Sequence, residues 1–188
     1  MKWGPPSKEL TLTKPSVLEL RSLTPVFCGP FVERNALVSA EAEIQAMVDR
    51  ETAAWDRQDA DALVELFHPD MVWPWPPEST AHDPMTWVFP QGRFNRVRWK
   101  ADWQRLFDTC DLVHNRRRTV RIEVSAEQDG GFAVVDVDTL WRRRADGAPF
   151  LWQGRACKGY TKVGDRWYLI LHTGLLHYSE DPGRNTSA

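Results

Sequence analysis

Five acidic or basic side chains in this sequence lie where an apolar residue would be expected, and together they could move protons. Glu51 falls among Ile44, Met47, Val48 and Trp55, which recur at three- and four-residue steps. A carboxylate in such a stripe must reach water, find a partner or accept a raised pKa. Neutral and desolvated, it can donate a proton to a substrate oxygen; at the edge of the stripe it would pair with a neighbour such as Arg57. Asp136 and Asp138 share one face of FAVVDVDTLWRR, whose other face, Ala133, Val135, Val137 and Thr139, is almost wholly apolar. Two carboxylates so close push their pKa values apart and can divide acid and base roles. If that face is exposed, Asp136 pairs with Arg121 across a hairpin instead. Lys158 follows Gly154 and Ala156 on one strand face, where small neighbours leave room for a ligand. Enclosed, it needs an acid, with Asp136 and Glu51 the candidates; otherwise it snorkels to water. His172 interrupts YLILHTGLL and is either hydrogen-bonded core or a general base.

The elements that would position these groups follow from periodicity. Ser39 caps a helix over residues 40–57, with acids in its first turn. Asp59 caps a second, ADALVELF, and a third over residues 96–108 carries Trp99, Trp103, Leu106 and Phe107. Short strands are expected at residues 71–76 and 86–90. Four longer ones follow, beginning at 119–126 and separated by Asp129-Gly130, Asp146-Gly147 and Gly164-Asp165 turns. In MVWPWPPES, Pro74 cannot donate a ladder bond and so belongs at an edge. The order predicts an α+β fold with the helices on one side of a strongly curved antiparallel sheet.

Two segments carry a family resemblance. Ile44 to Trp73, with Asp59-x-Asp61, Leu63, Leu66-Phe67 and Pro69-Asp70, resembles the opening of nuclear transport factor 2-like proteins. Gly164 to Ile170 followed by His172 resembles their closing hairpin. That superfamily includes the SnoaL-like polyketide cyclases, ketosteroid isomerase, scytalone dehydratase and the association domain of calmodulin-dependent kinase. The resemblance covers about residues 40–180. It implies a cone-shaped sheet closed by helices around an apolar pocket, and an inward parity for Met71, Trp73 and Trp75, for Val134, Asp136 and Asp138, for Trp152, Gly154, Ala156 and Lys158, and for Tyr168, Ile170 and His172. Trp75 falls where ketosteroid isomerase carries its aspartate base, so a shuttle through that base is not carried over.

These readings combine into one expectation. Residues 39–180 form the domain, 1–38 a largely irregular extension punctuated by prolines, and 181–188 a tail. The pocket binds a small apolar or aromatic molecule against Trp73, Trp75, Asp138, Trp152 and Tyr168. If it is catalytic, the chemistry is cofactor-free proton transfer of the isomerase, dehydratase or cyclase kind. His172 then moves the proton, Glu51 or Asp136 orients it or acts as acid, and Lys158 steadies an enolate-like oxygen. The alternative is a non-catalytic oligomerisation or ligand-sensing module. A homodimer through the outer sheet face is expected, supported by the apolar set Val135, Val137 and Trp141.

Bulk properties narrow the partners. A net charge of -2, from 24 basic and 26 acidic residues, gives no face-wide basic excess for nucleic acid. The runs Arg116-Arg117-Arg118 and Arg142-Arg143-Arg144 read as solvated strand ends. No apolar run is long enough to span a membrane. Three scattered cysteines suit a reducing cytoplasm, and His68, Asp70, His82 and Asp83 lack a metal-ligand spacing.

Overall fold

The computed structural model describes residues 38–78, 81 and 83–177. The expected extension, apart from residue 38, the tail and His82 lie outside them.

Helix α1 spans Ala40–Asp56, and the Ser39 side chain accepts from the Ala42 N–H at its start. Its buried stripe is Ile44, Met47, Val48, Glu51, Ala54 and Trp55. Asp59 caps the short α2, Ala60–Glu65, and Asn95 caps α3, Arg96–Thr109. The strands are β1 Phe67–Val72, β2 Cys110–Val124, β3 Gly130–Arg143, β4 Pro149–Val163 and β5 Arg166–His172. They form one curved, unclosed mixed sheet in the order β1-β5-β4-β3-β2, with β2 to β5 an antiparallel meander and β1 parallel to β5. The α+β expectation holds.

The inner face of the sheet packs beneath the helices. On β3 it consists of Ala133, Val135, Val137, Thr139 and Trp141, all buried. This corrects two expectations. Asp136 and Asp138 point to the outer face, because a strand's apolar set turns toward the core and a one-residue change of parity moves every side chain across. For the same reason Val135, Val137 and Trp141 are core and offer nothing to a second copy.

Strand β2 begins at Cys110, well before residue 119. Its arginine run is regular strand that alternates sides. Arg116 and Arg118 lie outward opposite Asp138 and Asp136, whereas Arg117 lies opposite Val137 on the inner side. Its Nε is buried, so Arg117 is not a solvated strand end.

The WPW stretch lies just past β1. Trp75 makes both backbone hydrogen bonds of an isolated bridge to Val88, at 2.8 and 2.9 Å. Pro74 offers only its carbonyl, which accepts from the Gly174 N–H at 2.6 Å. A Cβ on Gly174 would meet Pro76 Cδ at 2.3 Å and the Trp75 backbone at 3.0 Å. Gly174→Ala is therefore expected to destabilise the fold by about 1–3 kcal/mol, read as a lower urea midpoint. An unchanged midpoint would mean that the two segments part freely.

Candidate functional site

Three of the five side chains singled out above meet in the interior. Lys158, on the inner face of β4, places Nζ 2.5 Å from Glu51 Oε2 on α1. His172, the cross-strand partner of Lys158 on β5, places Nε2 3.9 Å from Glu51 Oε1. Trp55 Nε1 donates to the same Glu51 oxygen at 3.3 Å. All three titratable groups are buried, none more than 3% exposed.

A β-bulge puts His172 there. Tyr160 pairs with Leu169 and Gly159 with Leu171, so Ile170 is the extra residue. Before the bulge, Trp167 and Leu169 face inward; after it, His172 does. The inward parity expected for Tyr168 therefore fails while that for His172 holds. Tyr168 stacks against the Arg166 guanidinium and meets the His68 ring edge-on, away from the cluster.

The electrostatics follow from burial and pairing. Burial drives Lys158 down to about 8 against the opposing pull of Glu51. Burial also acts to raise Glu51, but its cationic neighbours, Lys158 above all, outweigh it and hold the carboxyl down at about 2. Burial, reinforced by Lys158, lowers His172 to about 3, leaving the ring neutral at pH 7. Its Nδ1 lies 2.6 Å from the Thr173 carbonyl, which can only accept, so Nδ1 carries the proton. Nε2, toward Glu51, is then the free lone pair.

An aromatic layer covers the cluster. Trp73 stacks on His172 at 4.0 Å between centroids and reaches Trp75 at 6.3 Å and Trp103 at 5.4 Å. Trp152 meets Trp55 edge-on at 5.6 Å. Beyond this layer lies a cleft of about 300 Å³ lined by Trp75, Pro76, Glu78, Trp152, Leu175 and His177, among others. Trp75 backed by Trp73, and Trp152 backed by Trp55, thus stand between the cleft and the charged groups. Trp73 Nε1, Trp103 Nε1, Trp141 Nε1, Tyr160 Oη and Arg117 Nε are buried with no hydrogen-bond partner among the described residues.

Asp136 and Asp138 are not brought to this site. Arg155 donates to Asp136 at 2.6 and 3.2 Å, and Arg118 adds a further ion pair. These contacts, the Arg155 hydrogen bond first, lower the Asp136 pKa. The expected partner, Arg121, pairs with Glu123 instead. Asp138 bonds His114 Nε2 at 3.0 Å and lies 3.6 Å from Arg116. Tyr160, Arg117 and Trp103 were missed as site residues. Tyr160 shares the parity of Ala156 and Lys158 and was there to be found by counting two residues further. Arg117 had no such signal, since a run of three arginines does not show which one turns inward.

The model of the SnoaL-like domain matches residues 36–171, most of the chain. The chain belongs to the SnoaL-like family. Among solved structures, this SnoaL-like chain is similar to a ketosteroid isomerase-like protein from Erwinia carotovora atroseptica, at 14% identity and TM-score 0.54, over 71% of this chain and 92% of that one. It is similar to a nuclear transport factor 2-like superfamily protein from Salmonella enterica serovar Typhimurium, at 14% identity and TM-score 0.53, over 78% and 96%. A third likeness is to a protein provisionally called a scytalone dehydratase from Novosphingobium aromaticivorans, at 11% identity and TM-score 0.53, over 73% and 92%. At such identities the likeness concerns the fold. No curated protein matches the chain. No helix among the described residues is long and apolar enough to cross a membrane.

Proposed function

We propose that this SnoaL-like protein binds a small, flat, largely apolar molecule at the tryptophan-lined cleft and moves a proton on it. The observation that carries the reading is the buried Glu51–Lys158–His172 cluster. Taking such charges out of water is costly, and apolar residues would fill the space at lower cost. A cluster of this kind behind an aromatic cleft is therefore a candidate for chemistry. Trp75 and Trp152 hold the ring faces of the ligand, and rotation of an indole such as Trp73 connects cleft and cluster. His172 Nε2 accepts the proton, ionised Glu51 steadies the imidazolium that forms, and Lys158 stabilises the developing oxyanion. Buried polar groups are nearly always satisfied, so the unmet indole and phenol donors around the cluster suit a ligand oxygen. The likeness to an isomerase-like and a dehydratase-named fold is in keeping with this.

Native mass spectrometry of gently purified protein identifies the passenger and the oligomer together. The passenger is then incubated with the protein in D2O. Wild type is expected to wash deuterium into a carbon position, and His172→Asn to slow this by about 100-fold or more. Equal rates in the two proteins would end the proton-transfer reading.

A second reading, a non-catalytic module assembling through the outer sheet face, draws on the exposure of Phe132 and Leu151 there. A large empty oligomer in the same spectrum would favour it, whereas a homodimer with a passenger supports the first reading.

A further inference from the structure

Lys158 offers more than a positive charge. It is wholly buried, and Glu51 is its one hydrogen-bond partner among the described residues, leaving two ammonium N–H groups unassigned. Its neighbours on the inner face are small: Ala156 on its own strand and Ala133 directly across on β3. His172, neutral and with a free Nε2, is its other cross-strand neighbour. Tyr160, two residues along on the same face, has a buried hydroxyl with no partner. An amine held in apolar surroundings, a carboxylate to hold the resulting cation, and nearby groups to relay protons are what imine formation requires.

We propose that Lys158 is a covalent site for a carbonyl compound, an aldehyde or ketone on a small aromatic body, which it captures as an iminium ion. This rests on the reading that the cleft admits such a molecule, and goes beyond it in making the bond covalent. The atoms balance without a further reactant. Lys158 Nζ forms a bond to the carbonyl carbon, and two of the three ammonium protons pass to the carbonyl oxygen, which leaves as water. The iminium nitrogen keeps one proton and the positive charge, so Glu51 faces a cation before and after. His172 Nε2 and the Tyr160 hydroxyl carry the protons between nitrogen and oxygen. The buried, partly neutralised amine supplies the nucleophile near neutral pH.

The test treats the folded full-length protein with benzaldehyde and cyanoborohydride near neutral pH and maps the benzylated peptides by mass. The expected result is benzylation of Lys158 at least about tenfold faster than that of the surface residue Lys100, lost in Lys158→Arg, which keeps the ion pair but cannot form the imine. Circular dichroism confirms that the protein stays folded during labelling. Modification of Lys158 only after unfolding in urea, or no faster than Lys100, overturns the proposal. Saturation-transfer NMR of benzaldehyde without reductant separates this from the underlying reading. Binding without the Lys158 adduct overturns the covalent step alone, and absence of both overturns both.

Discussion

Replacing Lys158 with methionine is expected to destabilise the fold by about 3–5 kcal/mol, the cost of leaving a buried charge without its partner. Methionine matches the length of the lysine stem, so packing changes little and the loss falls on Glu51. That carboxylate would keep the long hydrogen bond from Trp55 Nε1, the approach of His172 and the weaker pull of the Arg117 charge. Its remedy is to take up a proton, which should make the variant bind one proton more than wild type on folding near neutral pH. Adding Glu51→Gln removes the stranded charge, and the double variant is expected to recover most of the stability. Urea unfolding of the wild type, both single variants and the double variant gives the coupling directly. A double variant destabilised by the sum of the two single changes would show that the pair is not coupled, and the account of the cluster would fail with it.

Acid should expose His172 next. Its folded pKa lies at about 3 against an ordinary 6.5, so between those values the unfolded chain binds a proton that the folded chain refuses. Stability therefore rises with pH across this window and is lost as the pH falls through it. One proton contributes up to about 1.4 kcal/mol per pH unit. Glu51 has the same sign lower down: its folded pKa is about 2 against 4.5, so its contribution is complete above 4.5 and disappears as pH falls toward 2. Glu43, Glu65 and Asp136, also lowered by their hydrogen-bonded partners, act with it in the acid range. Between pH 6.5 and about 5.5 the carboxylates stay largely ionised in both states, and the slope there belongs to His172. Denaturant midpoints over this interval should fall steadily in wild type and stay nearly flat in His172→Asn. A flat wild-type profile would place His172 in contact with water, contrary to its burial.

The difference between Glu51 and Asp136 shows what local pattern can carry. Glu51 interrupts an apolar stripe at helical spacing, a pattern that allows it to face inward or to lie at the edge of the stripe, and its burial puts it inward. Asp136 and Asp138 sit on a strand, where the same alternation is equally compatible with the charged set facing in or out. The resemblance favoured inward; the burial of Ala133, Val135 and Val137 beneath α1 put them outward. Tyr168 and His172 separate for another reason. A single bulge at Ile170 reverses parity between them, and a bulge leaves no trace in residue type at that point.

The sequence by itself determined the three helices, two of them with their caps, and the antiparallel meander, and the resemblance carried by its motifs implied the family and the inward parity of Lys158 and Trp73. The helices and the meander rest on short-range periodicity, capping chemistry and turn residues, which act within a few residues along the chain. Only the tertiary structure decided that Lys158 rather than an arginine neutralises Glu51, that His172 joins them, that Arg117 turns inward and that tryptophans stand between the cluster and the cleft. Those outcomes depend on strand register and on contacts between residues as far apart as Glu51 and Lys158. A buried charge takes whichever partner the packed sheet brings within reach, and register is set by the burial of the whole inner face.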